Sequence, residues 1–341
     1  MSGKSQDRTS IPWDPANELF PLRRDLPKLP DAPEDAAWVW GKDDFCGRLN
    51  LLTPARVKAA SAEIKTGESA PLDLPTNMPA VPGAGRQEFK HEIKALIEGV
   101  AYDDIYTLNT QSGTQWDGFR HGAHISKATF YNGAKVADFI GPSSNEKCSI
   151  HFWRDNGFTG RGILLDYRSY AESKGFKYDA SSPCSISFDE LEACGKHQGI
   201  NILPARQGGD IKVGDILFIR SGWVQDYNNR TPEENKALAV QEEFSSAGVK
   251  QEPKMLDWLH DCYFAAVAGD SPTFERWPTA EAYLLHEYIL ALWGMPIGEM
   301  VDLERVSELA KKNNRYTFFI TSAPFRTHGG VASFLNATAI F

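Results

Sequence analysis

The chain is poor in cysteine. It has five among 341 residues, Cys46, Cys148, Cys184, Cys194 and Cys262, and no Cys-x-x-Cys pair. An odd, scattered set excludes a disulfide scaffold and a zinc–cysteine centre; it fits reduced thiols buried as small hydrophobes in a cytoplasmic protein. Excess positive charge is missing too. A net charge of −9 and a pI near 5.5 argue against nucleic acid and anionic membrane surfaces as partners, because both need a cationic face. No apolar run approaches the roughly 20 residues that cross a bilayer, and the opening Met-Ser-Gly-Lys-Ser-Gln-Asp-Arg leads into no apolar core, so neither a span nor a secretory signal is expected. Also absent are a Gly-x-Ser-x-Gly elbow, a phosphate loop, a His-Glu-x-x-His helix and a glycine-rich dinucleotide fingerprint after a strand, as is any solenoid-length repeat.

What is present is a soluble composition, 42% hydrophobic and 24% charged, long enough to bury a substantial core. Residues 1–37 are rich in proline and charge and read as an extended arm wrapping a surface, either of its own domain or of a partner subunit. Residues 38–341 read as one domain beginning at Trp38-Val39-Trp40-Gly41. Thr53 is a good N-cap and Pro54 a good first helical residue, so a helix is expected to start there and close at Gly67. Further helices are expected at Phe188–Gln198, Pro253–Asp261, Thr279–Leu292 and Leu303–Asn313. Strands are expected at Ser69–Leu74, Gly162–Tyr167, Ile216–Arg220, Ala265–Ala268 and Tyr316–Thr321. Strands and helices interleave without regular alternation, which predicts a mixed α/β domain with a strongly curved or closed, barrel-like sheet and flanking helices.

The densest chemistry lies in Asn109–His124, where Gln111, Gln115, Asp117, His121 and His124 surround Gly113, Gly118 and Gly122. The glycines suggest tight bends. The even offsets of Gln111, Gln115, Asp117 and His121 would line them up on a straight strand, but spread over roughly 33 Å at about 3.3 Å per residue, so a shared site requires the chain to coil. Asp117 and His121 form the sharpest pair: a carboxylate that binds a metal or orients an imidazole, and a histidine suited to general-base work. A polar turn with Asp117 capping amides would use the same residues. His286, in the expected helix, and Glu299, after Gly294-Met-Pro296, are an ordinary core histidine and surface carboxylate unless they converge on Asp117. Asp270 either faces a cleft from a strand end or caps the next turn. Arg161 and Arg220 read as structural ion pairs. Trp116, Phe119, Trp153, Trp223, Phe274 and Trp277 are candidates for an apolar pocket wall as well as for core.

The stretch Gln111-Ser-Gly-Thr-Gln115-Trp-Asp117-Gly-Phe119-Arg-His121 resembles the signature of the metal-dependent cyclase family, His-x-Gly-Thr-His-x-Asp-x-Pro-x-His, which includes kynurenine formamidase and isatin hydrolase. Gly160–Asp166, Gly214–Trp223, Ala268-Gly-Asp270 and the pair His286…Glu299 are similar to later family blocks in the same order. The resemblance implies a swivelling β/β/α fold, a homodimer, and hydrolysis of an amide or lactone in a small aromatic or cyclic substrate. It implies His121 and Asp117 as catalytic residues and Asp117, His286 and Glu299 as metal ligands. Gln111 and Gln115 replace both motif histidines and Phe119 the proline. The resemblance places Gln111, Gln115 and Asp117 on a first metal site, but neutral amide oxygens are poor zinc ligands; either a glutamine or water completes a single metal site at Asp117, His286 and Glu299, or the two glutamines bind substrate, the role assigned to them with Trp116, Phe119 and Trp223. One divalent metal (Mn, Zn or Mg) or none is left open. A metal-free lyase, isomerase or cyclising enzyme of secondary metabolism is the alternative, with His121 and a carboxylate moving the proton; a binding protein that has lost the chemistry is a third reading.

Overall fold

The computed structural model describes residues 10–341. Its centre is a mixed nine-stranded sheet in the spatial order Ser69–Pro71, Ala337–Ile340, Thr317–Ser322, Phe158–Leu165, Ile216–Ile219, Ala266–Gly269, Ile297–Glu299, Gln115–Asp117, Ala332–Ser333. The sheet curls into a half-barrel with helices flanking it. The four strands from Phe158–Leu165 to Ile297–Glu299 run parallel, and the remaining pairs are antiparallel. Parallel strands covered on both faces read as unbroken apolar runs; Ile216–Ile219 and Ala266–Gly269 are accordingly buried at every position.

Local signals set several boundaries. Thr53 caps the helix Pro54–Ala60 through Arg56 N, with Pro54 in its first turn. Ser187 and Glu190 form a reciprocal capping box that starts Phe188–His197. Pro253 opens Pro253–Asp261, and Asn314, at φ 47°, ends Glu304–Asn313. The helix expected over Thr279–Leu292 is corrected. Residues 279–284 bend without forming a helix, and the segment Glu287–Leu292 is a wide π-helical coil entered through His286. The Glu275 carboxylate accepts the Leu285 and His286 amide N–H groups at 2.7 and 2.9 Å. Two first-turn donors are thereby satisfied by a residue ten positions upstream, which fixes the helical start near residue 285.

The arm from residue 10 onward lies on its own chain. Trp13 and Phe20 are buried and stack among Trp40 and Tyr263. An antiparallel hairpin, Lys90–Ile97 with Ala101–Thr107, was not expected from the sequence; it projects from the body with almost every residue exposed.

Candidate active site

The strand Gln115–Asp117 lies between Ile297–Glu299 and Ala332–Ser333. Side chains alternate across a strand, so Gln115 and Asp117 share one face and Trp116 takes the other. The antiparallel register sets Gln115 opposite Glu299 and Asp117 opposite Ile297, which brings the Glu299 carboxylate beside that of Asp117. Gln111, from the preceding loop, donates from Nε2 to Asp117 Oδ1 at 2.6 Å. Gln115 donates from Nε2 to Glu299 Oε2 at 3.0 Å and to Gln111 Oε1 at 3.2 Å. Glu299 Oε1 accepts Phe274 N–H at 2.9 Å.

His286 meets both carboxylates. Its Nε2 lies 3.2 Å from Glu299 Oε1 and 3.6 Å from Asp117 Oδ2, while Nδ1 is held by Glu275 Oε1 at 2.6 Å. The other Glu275 oxygen accepts Gln251 Nε2 at 2.7 Å. A carboxylate on the far ring nitrogen is the arrangement that aims a ligating histidine. His121 stands further out, half-exposed, with Nε2 4.0 Å from Asp117 Oδ2 and its ring 6.5 Å from that of His286. The distant residues Gln111, Gln115, Asp117, His121, His286 and Glu299 are therefore brought together.

The electrostatics follow from burial. Burial works to raise the Asp117 carboxyl, but the His121 and His286 imidazoles outweigh it and hold it below the usual range. Glu299 is pushed up, first by burial and then by the Asp117 charge. His286 is raised well above the ordinary imidazole value: burial opposes this, but Asp117, Glu275 and Glu299 together prevail. Three buried carboxylates thus converge on one imidazole, and among the described residues none of the three has a Lys or Arg ion-pair partner. Buried charge needs compensation. Asp117 Oδ2 is buried and accepts no hydrogen bond. One atom each from Asp117, His286 and Glu299 lie within 4.8 Å of one another. This oxygen-rich donor set is compatible with one divalent metal.

The site opens on a cavity of about 410 Å³ lined by His121, His286, Glu299 and Gln111 and walled by residues including Val81, Trp223, Leu238, Phe244 and Trp277. Trp223 is on this wall. Trp116 and Phe119 are not, and the expectation is corrected. Trp116 is fully buried on the opposite sheet face, stacked on Phe158 at 4.4 Å with Nε1 bonded to Ser322 Oγ. Phe119 is buried between Tyr131 and Trp153. Gln115 is also fully buried, and its amide serves Glu299 and Gln111 rather than the cavity. Asp270 caps the Ser221 and Gly222 amides, and burial pushes its carboxyl up to about 6. Arg161 and Arg220 pair with Asp215 and with Asp166 and Glu304. Glu275 escaped the sequence reading. Its one signal is an acidic residue inside an aromatic stretch, Phe274-Glu275-Arg276-Trp277.

Residues 69–276 match the Cyclase family model, described as "Putative cyclase". The chain belongs to the Cyclase family. Among solved structures it is similar to one described as a novel cyclase, with 27% identity and a TM-score of 0.76, covering 90% of this chain and 99% of that one. Isatin hydrolase A from Ralstonia solanacearum shares the fold at 16% identity and a TM-score of 0.55, covering 84% of this chain and 97% of that one. An isatin hydrolase bound to the product analogue thioisatinate does so at 12% identity and 0.53, covering 84% and 96%. No curated protein matches the chain. The family model and the 27%-identical structure are both described as cyclases, and the isatin hydrolases share the fold.

Proposed function

We propose that this Cyclase-family member hydrolyses an amide or lactone bond in a small cyclic or aromatic substrate, with His121 as general base and one divalent metal held by Asp117, His286 and Glu299. The observation that carries this reading is the convergence of those three residues, with His286 and Glu299 lining an apolar-walled cavity that His121 also lines and Asp117 buried behind them. A divalent metal bound there supplies Lewis acidity toward a carbonyl oxygen or a water. Mn, Zn and Mg all suit the donor set.

The chain's own residues do the rest. Glu275 fixes the His286 ring through Nδ1. Gln111 occupies Asp117 Oδ1 and leaves Oδ2 facing His286 and His121. His121 takes the proton of an attacking water at Nε2 and returns it to the leaving nitrogen or oxygen. Trp223, Trp277 and Phe244 pack a ring and exclude bulk water.

The test uses isatin and the aryl lactone dihydrocoumarin as probes. Purified protein should contain about one equivalent of a divalent metal, lose hydrolysis on chelation and regain it with one of the three ions. His121→Ala should lower kcat by about 10²- to 10⁴-fold with its thermal unfolding unchanged. Full activity in His121→Ala refutes the base assignment. Proton-transfer activity that survives complete metal removal favours the metal-free lyase or isomerase instead.

A further inference from the structure

Two guanidinium groups line the cavity, and their situations differ. Arg230 is spent on the protein: it bonds Ser181 Oγ at 3.0 Å and forms an ion pair with Asp179. Arg86 is half-buried, and its Nη1 donates to the Gln111 carbonyl oxygen at 2.8 Å. Among the described residues no carboxylate lies within ion-pair distance of it. A guanidinium carries five N–H donors in a planar fork matched to a carboxylate, so one neutral acceptor leaves most of that fork open.

The surroundings sharpen the contrast. The chain carries an excess of acidic side chains, the cavity floor holds the Glu299 carboxylate, and much of the wall near Arg86 is apolar, including Pro79, Pro82 and Phe244. An anionic ligand is repelled by such a floor unless a fixed cation receives its charge. We propose that Arg86 is a specificity-determining residue that anchors a carboxylate on an apolar, ring-bearing substrate, holding it at the wall beside Gln111. The proposal rests on the reading of this cavity as the substrate site. The bond to the Gln111 carbonyl places the cation next to the residue that braces Asp117, so an anchored carboxylate sits close to the reacting end of the cavity.

Calorimetric titration of the full chain with 4-phenylbutanoate and 4-phenylbutanamide, which differ only in the anionic group, tests this without requiring turnover. The wild type should bind the acid at least about tenfold more tightly than the amide, as a charge-assisted fork contact allows. Arg86→Gln should bring the ratio to about one, with amide affinity unchanged. A structural tie between Arg86 and Gln111 alone would not alter that ratio. If Arg86→Gln fails to fold, Arg86→Lys keeps the charge without the fork, and its ratio should fall while staying above one. An unchanged ratio in a folded variant, as expected for a carboxylate held by a metal, overturns the proposal; so does a wild type that prefers the amide or binds neither probe. Arg86-dependent selectivity without hydrolysis of isatin, of dihydrocoumarin or of an aryl lactone bearing a carboxylate keeps the anchor and sinks the hydrolase reading. Hydrolysis without selectivity does the reverse.

Discussion

Glu275 touches no substrate surface in this arrangement, yet its two oxygens take four partners: the Leu285 and His286 amides, the His286 ring and Gln251. One carboxylate thereby sets both where the helical segment begins and which way its first imidazole faces. Glu275→Gln keeps the shape and removes the charge behind Nδ1. It should weaken binding of Mn or Zn by about 10- to 100-fold, the usual consequence of losing a partner behind a ligating histidine, as read by metal titration on folded protein. The glycines of the motif illustrate a different constraint at this scale. The sequence suggests bends at Gly113, Gly118 and Gly122, but none of them adopts a positive φ. At Gly118 the reason is space: a Cβ there would stand 2.2 Å from the Val331 carbonyl oxygen. Gly118→Ala must displace the backbone next to Asp117, and we expect a lower thermal midpoint together with weaker metal binding.

The strand Gln115–Asp117 is the element that divides chemistry from core. The even offsets of Gln115 and Asp117 were visible in the sequence, but a coil rather than a strand was expected there, and the side taken by Trp116 was not legible, because a three-residue strand carries too little period-two pattern to distinguish core from cavity. The structure decides it through the stacking of Trp116 on Phe158. Trp116→Ala should therefore cost about 3–5 kcal/mol of stability, as for a buried large-to-small change, measured by denaturant unfolding. Trp223→Ala, on the cavity wall, should cost less and act on ligand affinity. The segment before His286 shows the opposite failure. Apolar spacing over Thr279–Leu292 matched a helix, yet a long-range acceptor, Glu275, held the residue 285 and 286 amides and overrode that local preference. The hairpin Lys90–Ile97/Ala101–Thr107 had no burial pattern to read, since both of its faces are exposed.

At the scale of the molecule, the core strands and capped helices were legible because continuous apolar runs and local caps specify them. The residues of the candidate site stood out in the sequence through the motif and the later His286…Glu299 pair. Glu275 and Arg86 were not, because their roles exist only once distant backbone arrives beside them. The same global packing produces an acid sensitivity remote from the cavity. His260 is fully buried, its Nε2 has no hydrogen-bond partner, and its backbone carbonyl accepts Arg48 Nη1. Burial lowers its pKa from 6.5 to about 3, the Asp261 contact opposing and the Arg48 and Arg23 charges assisting. The folded state therefore binds a proton less readily than the unfolded chain. The His260 contribution is fully present above about pH 6.5 and is lost as pH falls toward 3, at up to about 1.4 kcal/mol per pH unit. Thermal midpoints measured between pH 4 and 7 should fall more steeply in the wild type than in His260→Gln; parallel curves would exclude His260 as the source.

The pairing of Gln115 with Glu299 spans 184 positions, and the other edge of the Gln115–Asp117 strand is completed only by residues 332–333. During synthesis the motif leaves the ribosome long before its partners are translated. Closure of this cluster must then be a late event in biogenesis, and a nascent chain arrested before residue 286 carries Asp117 with neither His286 nor Glu299 beside it.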